Sequence, residues 1–383
     1  MRSALAILCV LVAATPAIPQ DKKGKAAAAD KIDPVKVDGA IKKGLAYLKG
    51  QIGKYGTINK RRSEELILWT FTHGGVPEND PEFEKMLKTV LETPLEWTYN
   101  VSLQAMILEE LDRVKYQGRI AQCAQFLIDN QCANGQWSYG EPDSFAKDVP
   151  TGGKKAVASG AKPKPEKAIP GTRTKPKVVN TISVKQMKKG PARGDNSNSQ
   201  YAALGLRACH DAGVVMPVEV LQLAEQWWRD GIGGDGWGYL SKNDSGYGSM
   251  TAGAVGALTI YLFIQGKPWL RDKEVAIGME WLASNFTVTQ NPKTPEKGGQ
   301  GGWQYYYLYA LERAGIFYGT ETFGAHEWYV EGAKYLLDQQ KDDGSWMTPG
   351  ADHAIWDTCF AILFLRRATR PLRDVASEDR KAK

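Results

Sequence analysis

Two stretches of this 383-residue chain align without a gap: FLIDNQCANGQW, Phe126 to Trp137, and YLLDQQKDDGSW, Tyr335 to Trp346. Both read aromatic, Leu, any three residues, Gln, any three, Gly, any one, Trp. A repeat at long separation implies an architecture of equivalent units rather than a catalytic signature. Its chemistry is that of a connector closing a helix. Gln131 and Gln340 can satisfy carbonyls orphaned at a helix end, Gly135 and Gly344 permit a turn, and Trp137 and Trp346 cover it.

Apolar residues around these copies recur with helical period, and the segments come in pairs. Six second helices stand out: SEELILWTFTHGGV, YNVSLQAMILEELD, NSNSQYAALGLRACHDAGV, SMTAGAVGALTIYLF, GGWQYYYLYALERAGI and WDTCFAILFLRRA. Each begins at a polar or Gly-rich turn and is apolar nearly all round, the pattern of a helix buried on every side. The first helices, such as DGAIKKGLAYLKGQ and WYVEGAKYLLDQQ, are amphipathic and belong outside. The expectation is an all-α fold over residues 34–372, an α/α-toroid of two concentric shells and about six helix pairs. All inner helices then run the same way, so their N-termini converge on one mouth.

One segment interrupts the pattern. Residues 142–194 contain no Trp, Tyr, Leu or Cys, and read as a basic, low-complexity, disordered insert with room for a short ribbon at KVVNTISVKQM. Residues 147–193 hold thirteen Lys or Arg against two acids, which leaves the rest of the chain acidic despite a formal net charge of +6. Charge segregated in this way argues against a nucleic-acid partner. Residues 1–20, with one Arg, an apolar run from Ala4 to Ala14 and small residues near Ala17, read as a cleavable signal, so the mature protein is expected to be secreted or periplasmic. Residues 21–33 read as a linker and 373–383 as a charged tail. No later segment is a convincing membrane span. Cys123, Cys132, Cys209 and Cys359 form no disulfide framework, although Cys123 and Cys132 are close enough in sequence to leave pairing open.

The residues expected around the mouth are Tyr99, Asn198, Gln200, Tyr201, Thr251, Trp303, Tyr305, Tyr306, His353 and Trp356. Their aromatic faces and hydrogen-bonding groups suit an amphipathic cavity. Asp195 and Asp357 are the candidate acids there. No cofactor or metal is expected.

The aromatic-Leu-x3-Gln-x3-Gly-x-Trp motif resembles the repeat of squalene and oxidosqualene cyclases, and the helix pairing is similar to the toroid of the protein prenyltransferase β subunits. Degenerate copies occur at Tyr47 to Gln51, in EQWWRDGIGGDGWG and around EWLASNFTVTQ. Segments such as NSNSQYAALGL and HEWYVEGAKYLLDQQ also look like exported bacterial proteins that carry these repeats. The resemblance implies a cavity for an isoprenoid or other lipid. The cyclases' acidic motif is absent: in AIWDTCFA only Asp357 and Thr358 fit, and in NSNSQYA amides stand where carboxylic acids would be. Asp357-x-Cys359 matches half of the prenyltransferase zinc set, with no later His to complete it. Three functions remain open: a noncatalytic binder of an apolar or amphipathic ligand or of a protein, a terpenoid cyclase-like enzyme with an unconventional acid, and a carbohydrate-active enzyme using two of Glu65, Asp195 and Asp357.

Overall fold

The computed structural model describes residues 32–52, 63–149, 175–295 and 302–372. The expected signal, nearly all of the linker, the middle of the insert and the charged tail lie outside the described residues. Each of the six apolar segments forms a helix: α2 (Glu64–Gly74), α4 (Thr98–Asp112), α7 (Asn196–Asp211), α9 (Gly248–Ile264), α11 (Gln304–Tyr318) and α13 (Ala354–Arg366). Their amphipathic companions are α1 (Pro34–Gln51), α3 (Pro81–Glu92), α5 (Gln117–Asp129), α8 (Val218–Asp230), α10 (Lys273–Ser284) and α12 (Trp328–Gln339). The described residues are all-α apart from four two-residue strands, β1 (Ile182–Ser183), β2 (Val214–Val215), β3 (Ile232–Gly233) and β4 (Gly236–Trp237), and they include a one-turn helix α6 (Phe145–Asp148).

Local chemistry separates the two sets. Asp33, Asp80 and Asp272 cap α1, α3 and α10 with carboxylates that accept first-turn N–H groups, and proline opens α1 and α3. These companions bury one stripe each, as in Phe83, Met86 and Val90 of α3. In α9, by contrast, every residue from Gly248 to Leu262 is buried. Packing follows that difference. The helix α2 packs on α4, α4 on α7, α7 on α9, α9 on α11, α11 on α13, and α13 packs back on α2. Outside this cycle, α1 touches α2, α12 and α13, while α5 lies against α4 and α7. No helix among the described residues is long and apolar enough to cross a membrane.

The repeated connector works differently from its sequence reading. The indole N–H, not the glutamine, caps the preceding helix: Trp137 Nε1 donates to Leu127 O at 2.7 Å and Trp346 Nε1 to Leu336 O at 2.8 Å. The degenerate copy does the same, Trp237 Nε1 donating to Trp228 O at 2.8 Å. Each of these carbonyls lies in the last turn of its helix, where no intrahelical donor reaches. Each tryptophan amide then donates to a hydroxyl in the first turns of the following buried helix, Trp137 to Ser199, Trp237 to Thr251 and Trp346 to Thr358. The glutamines stitch neighbouring companion helices instead. Gln131 Nε2 donates to Val220 O of α8, and Gln340 Nε2 to Ala40 O of α1, 300 residues away. Gly135 and Gly344 have φ of 92° and 87°, and a Cβ there would stand 2.4 Å from Leu223 O and 2.5 Å from Lys43 O.

The expectation of a disordered insert over 142–194 needs correction at both ends. Residues 175–194 run along α5: Gln125 donates to Lys185 O, the Asp129 carboxylate accepts from Met187 N and Lys188 N, and Gln186 donates to Ile128 O. That covering buries α5 almost all round, unlike the other companions. A ribbon forms within KVVNTISVKQM, β1 pairing in parallel with β2. Lys175 reaches the far ends of the buried helices, where it pairs with Glu109 and Glu110. Composition conceals this because polar backbone and amide contacts, rather than apolar side chains, fasten the segment.

At those far ends, Glu312 is fully buried and accepts from the Thr369 amide and hydroxyl. Burial pushes its carboxyl up from 4.5 to about 7. Between pH 4.5 and 7 the folded chain therefore keeps a proton that the unfolded chain gives up, and stability falls as pH rises, by up to about 3 kcal/mol. Glu312→Gln is expected to flatten that slope and to make the protein about 1–3 kcal/mol more stable than the parent at pH 8, with little difference at pH 4. Urea unfolding at the two pH values checks it. An unchanged slope would assign the effect to another group.

Candidate functional site: an uncharged aromatic cavity

The first turns of the buried helices surround a cavity of about 510 Å³. Helical spacing grades its wall. Ser63, Asn100 and Trp356 stand at the rim, and Leu66, Leu103 and Phe360 follow one turn further along the same helices. Tyr99, Tyr201 and Tyr306 meet on the wall: the Tyr99 and Tyr201 rings lie 4.4 Å apart, Tyr201 stacks on Tyr306 at 6.2 Å, and the Tyr99 and Tyr306 hydroxyls are 3.3 Å apart. Burial holds the Tyr99 and Tyr306 phenols well above their usual range, so they are neutral donors and acceptors at any ordinary pH. At the rim, Trp303 stacks on Trp356 at 5.8 Å, and Trp356 Nε1 donates to Ser63 Oγ at 2.8 Å. Trp303 is 41% exposed and adopts φ 60°, a left-handed backbone that turns the chain into α11.

Five of the sequence-predicted residues thus line the cavity: Tyr99, Tyr201, Trp303, Tyr306 and Trp356. The others are placed elsewhere. Asp195 is the N-cap of α7, accepting from the Asn198 amide and side chain and from Ser197 Oγ. Asn198 is therefore turned to its own cap. Asp357 is fully buried behind the wall, with Oδ2 accepting from Thr348 N at 2.7 Å and Oδ1 3.6 Å from His353 Nε2. Burial raises its carboxyl, and the nearby His353 opposes the rise. His353 packs at a tilt against Trp303, with ring centroids 4.2 Å apart, outside the lining. Thr251 belongs to the connector of Trp237, Gln200 accepts from Arg313 Nη2 at 3.1 Å, and Tyr305 is buried among α11 and α12 groups near Tyr335.

Among the described residues that line the cavity none is charged. Asp195, Asp357 and Glu65 all stand off its wall; Glu65 accepts from Asn100 Nδ2 at 2.5 Å. The paired carboxylates that glycoside hydrolysis requires are not brought together there. Cys359 is buried, with its thiol pushed up to about 12, and Cys123, Cys132 and Cys209 are likewise buried free thiols. Such thiols are poor nucleophiles and poor metal ligands.

Several lining residues lie outside the sequence-predicted set, among them Tyr139, Tyr239, Tyr247 and Asn291. A signal for two of them was present. Tyr139 and Tyr239 each follow a connector tryptophan by two residues, and their hydroxyls approach to 3.4 Å across the mouth. The tryptophan that caps one helix thereby delivers a tyrosine to the cavity. Comparison with models of known protein families and with curated proteins finds no match.

Proposed function

We propose that this chain is an exported α/α-toroid, two shells of six helix pairs related to the squalene cyclase and prenyltransferase repeat, that binds an uncharged amphipathic molecule in its central cavity. The cyclic packing of α2, α4, α7, α9, α11 and α13 supports the toroid, and the apolar run near the N-terminus supports export. The single observation that carries the ligand class is the uncharged, graded wall. A ligand with an apolar body against Leu66, Leu103 and Phe360 and a hydroxyl or carbonyl end at Ser63, Asn100 and Ser249 would match that grading. An isoprenoid alcohol or a neutral lipid has that form. No proton donor of carboxylic strength faces the cavity, which favours binding over cyclase-type catalysis.

Mass spectrometry of an organic extract of the purified protein, with Nile red fluorescence as a neutral probe, tests the proposal. The parent is expected to yield a stoichiometric neutral amphiphile and to bind Nile red. Leu103→Trp, which fills the cavity from the wall, should weaken Nile red binding at least about tenfold, the loss of roughly 1.4 kcal/mol, without unfolding the protein. Equal binding by parent and variant would place the ligand elsewhere, and an extract free of amphiphile together with no Nile red binding would sink the reading.

A further inference from the structure

The far ends of the buried helices enclose a second, smaller cavity, of about 50 Å³, lined in part by Trp69, Tyr309 and Arg313. Its charges are mostly matched. Glu109 pairs with Lys175, Glu110 with Lys175 and in two-point fashion with Arg370, and Asp211 with Arg207 at 3.4 Å. Four lining cations therefore face three lining carboxylates, and the cation left over is Arg313. It makes no ion pair within 4 Å among the described residues, although it is 3% exposed. Glu312, its chain neighbour, turns to Thr369 instead.

The immediate surroundings of Arg313 are aromatic rings and neutral groups rather than a paired carboxylate. Its guanidinium lies over the Tyr309 ring at 4.2 Å and beside Tyr201 at 5.5 Å, and Nη2 donates to Gln200 Oε1. That leaves Arg313 Nη1 and Gln200 Nε2 buried without partners. Gly253 of α9 makes room for this amide, since a Cβ there would stand 2.7 Å from Gln200 Oε1. Carbonyl-end dipoles favour cations at this side of the helices, but their effect fades within a turn, and Arg313 lies more than a turn before the end of α11. A buried guanidinium without an ion-pair partner is costly, and its unpaired Nη1 calls for an acceptor.

We infer that Arg313, steadied by Gln200 Oε1 on its Nη2, holds a small monovalent inorganic anion of the halide class at this cavity. Its size suits one to a few water-sized species, and one uncompensated positive charge suits one negative charge. The anion would lie across Tyr201 from the ligand cavity, because that ring contributes to the larger wall while Arg313 lies against it.

The test is the melting temperature of the full protein at pH 6 and fixed ionic strength, with potassium gluconate replaced stepwise by potassium chloride or bromide. The parent is expected to gain about 2–4 °C and to saturate. Gln200→Glu places a covalent carboxylate beside Arg313; it should melt higher than the parent in gluconate and lose the halide response. Arg313→Met should also lose the response, and Gln200→Glu keeps the test decisive if that variant fails to fold. A parent whose melting is the same in gluconate and chloride, or a halide response retained in Gln200→Glu, would overturn the inference.

Discussion

Replacing Trp346 by alanine is expected to cost the fold about 4 kcal/mol, the range for deleting a large buried aromatic. Its indole is fully buried against Gly44 of α1, where a Cβ would stand 2.8 Å from Cζ3. The substitution empties that space and also orphans Leu336 O at the end of α12. Trp346→Phe separates the two losses. It keeps most of the volume and removes the donor, so it should cost about 1–2 kcal/mol, the penalty of an unpaired buried carbonyl. Trp303→Ala, on a half-exposed rim residue, should cost about 1 kcal/mol or less. Urea unfolding of the three variants checks the order. If Trp346→Ala proved no worse than Trp303→Ala, the connector would not be a structural joint.

Gly344→Ala should destabilise by about 2–4 kcal/mol, for two separable reasons. At φ 87° any side chain carries the left-handed penalty of about 1–2 kcal/mol. Here the new methyl would also meet Lys43 O at 2.5 Å, backbone that cannot rotate away. Gly319 provides the control: its φ is 82°, and an added Cβ would have nothing within 4 Å. Gly319→Ala should therefore show the conformational cost alone. The excess in Gly344→Ala reads the close approach of the connector to α1, and equal costs for both variants would refute that approach.

Helix positions were legible because burial on every side leaves a mark in composition: α9 has no charged residue to offer, and α3 buries a stripe of three apolar residues between charged ones. The connector was legible as a repeat, yet its division of labour was not. Nothing in the spacing reveals that Trp137 finds Leu127 O while Gln131 crosses to the next helix, because both groups are donors near the same helix end. The orientation of the candidate acids is hidden in the sequence for a similar reason. Asp195 and Asp357 stand at helix starts, where a carboxylate serves equally well as a cap, a turn anchor or a reactive group, and only the direction of the side chain decides. Tyr201 and Tyr306 were easier, since a large aromatic ring near the start of a buried helix must fill space at the mouth. Arg313 has no mark in the sequence, being one of two charges, with Glu312, on an apolar helix; its importance comes from the absence of an ion pair to it among the described residues.

The return of α13 to α2, and of Gln340 to Ala40, also governs the order in which the chain can fold. Contacts inside each helix pair are local and can form early, but the two faces that close the cycle are separated by nearly the whole described sequence. Such contacts carry the largest loop-closure cost and are expected to form last. Until α13 arrives, Gly44 of α1 lacks the cover that Trp346 and Ile362 give it. The seam between first and last helices is thus the slow step of folding and the first place to open on unfolding, with the helices between them already assembled.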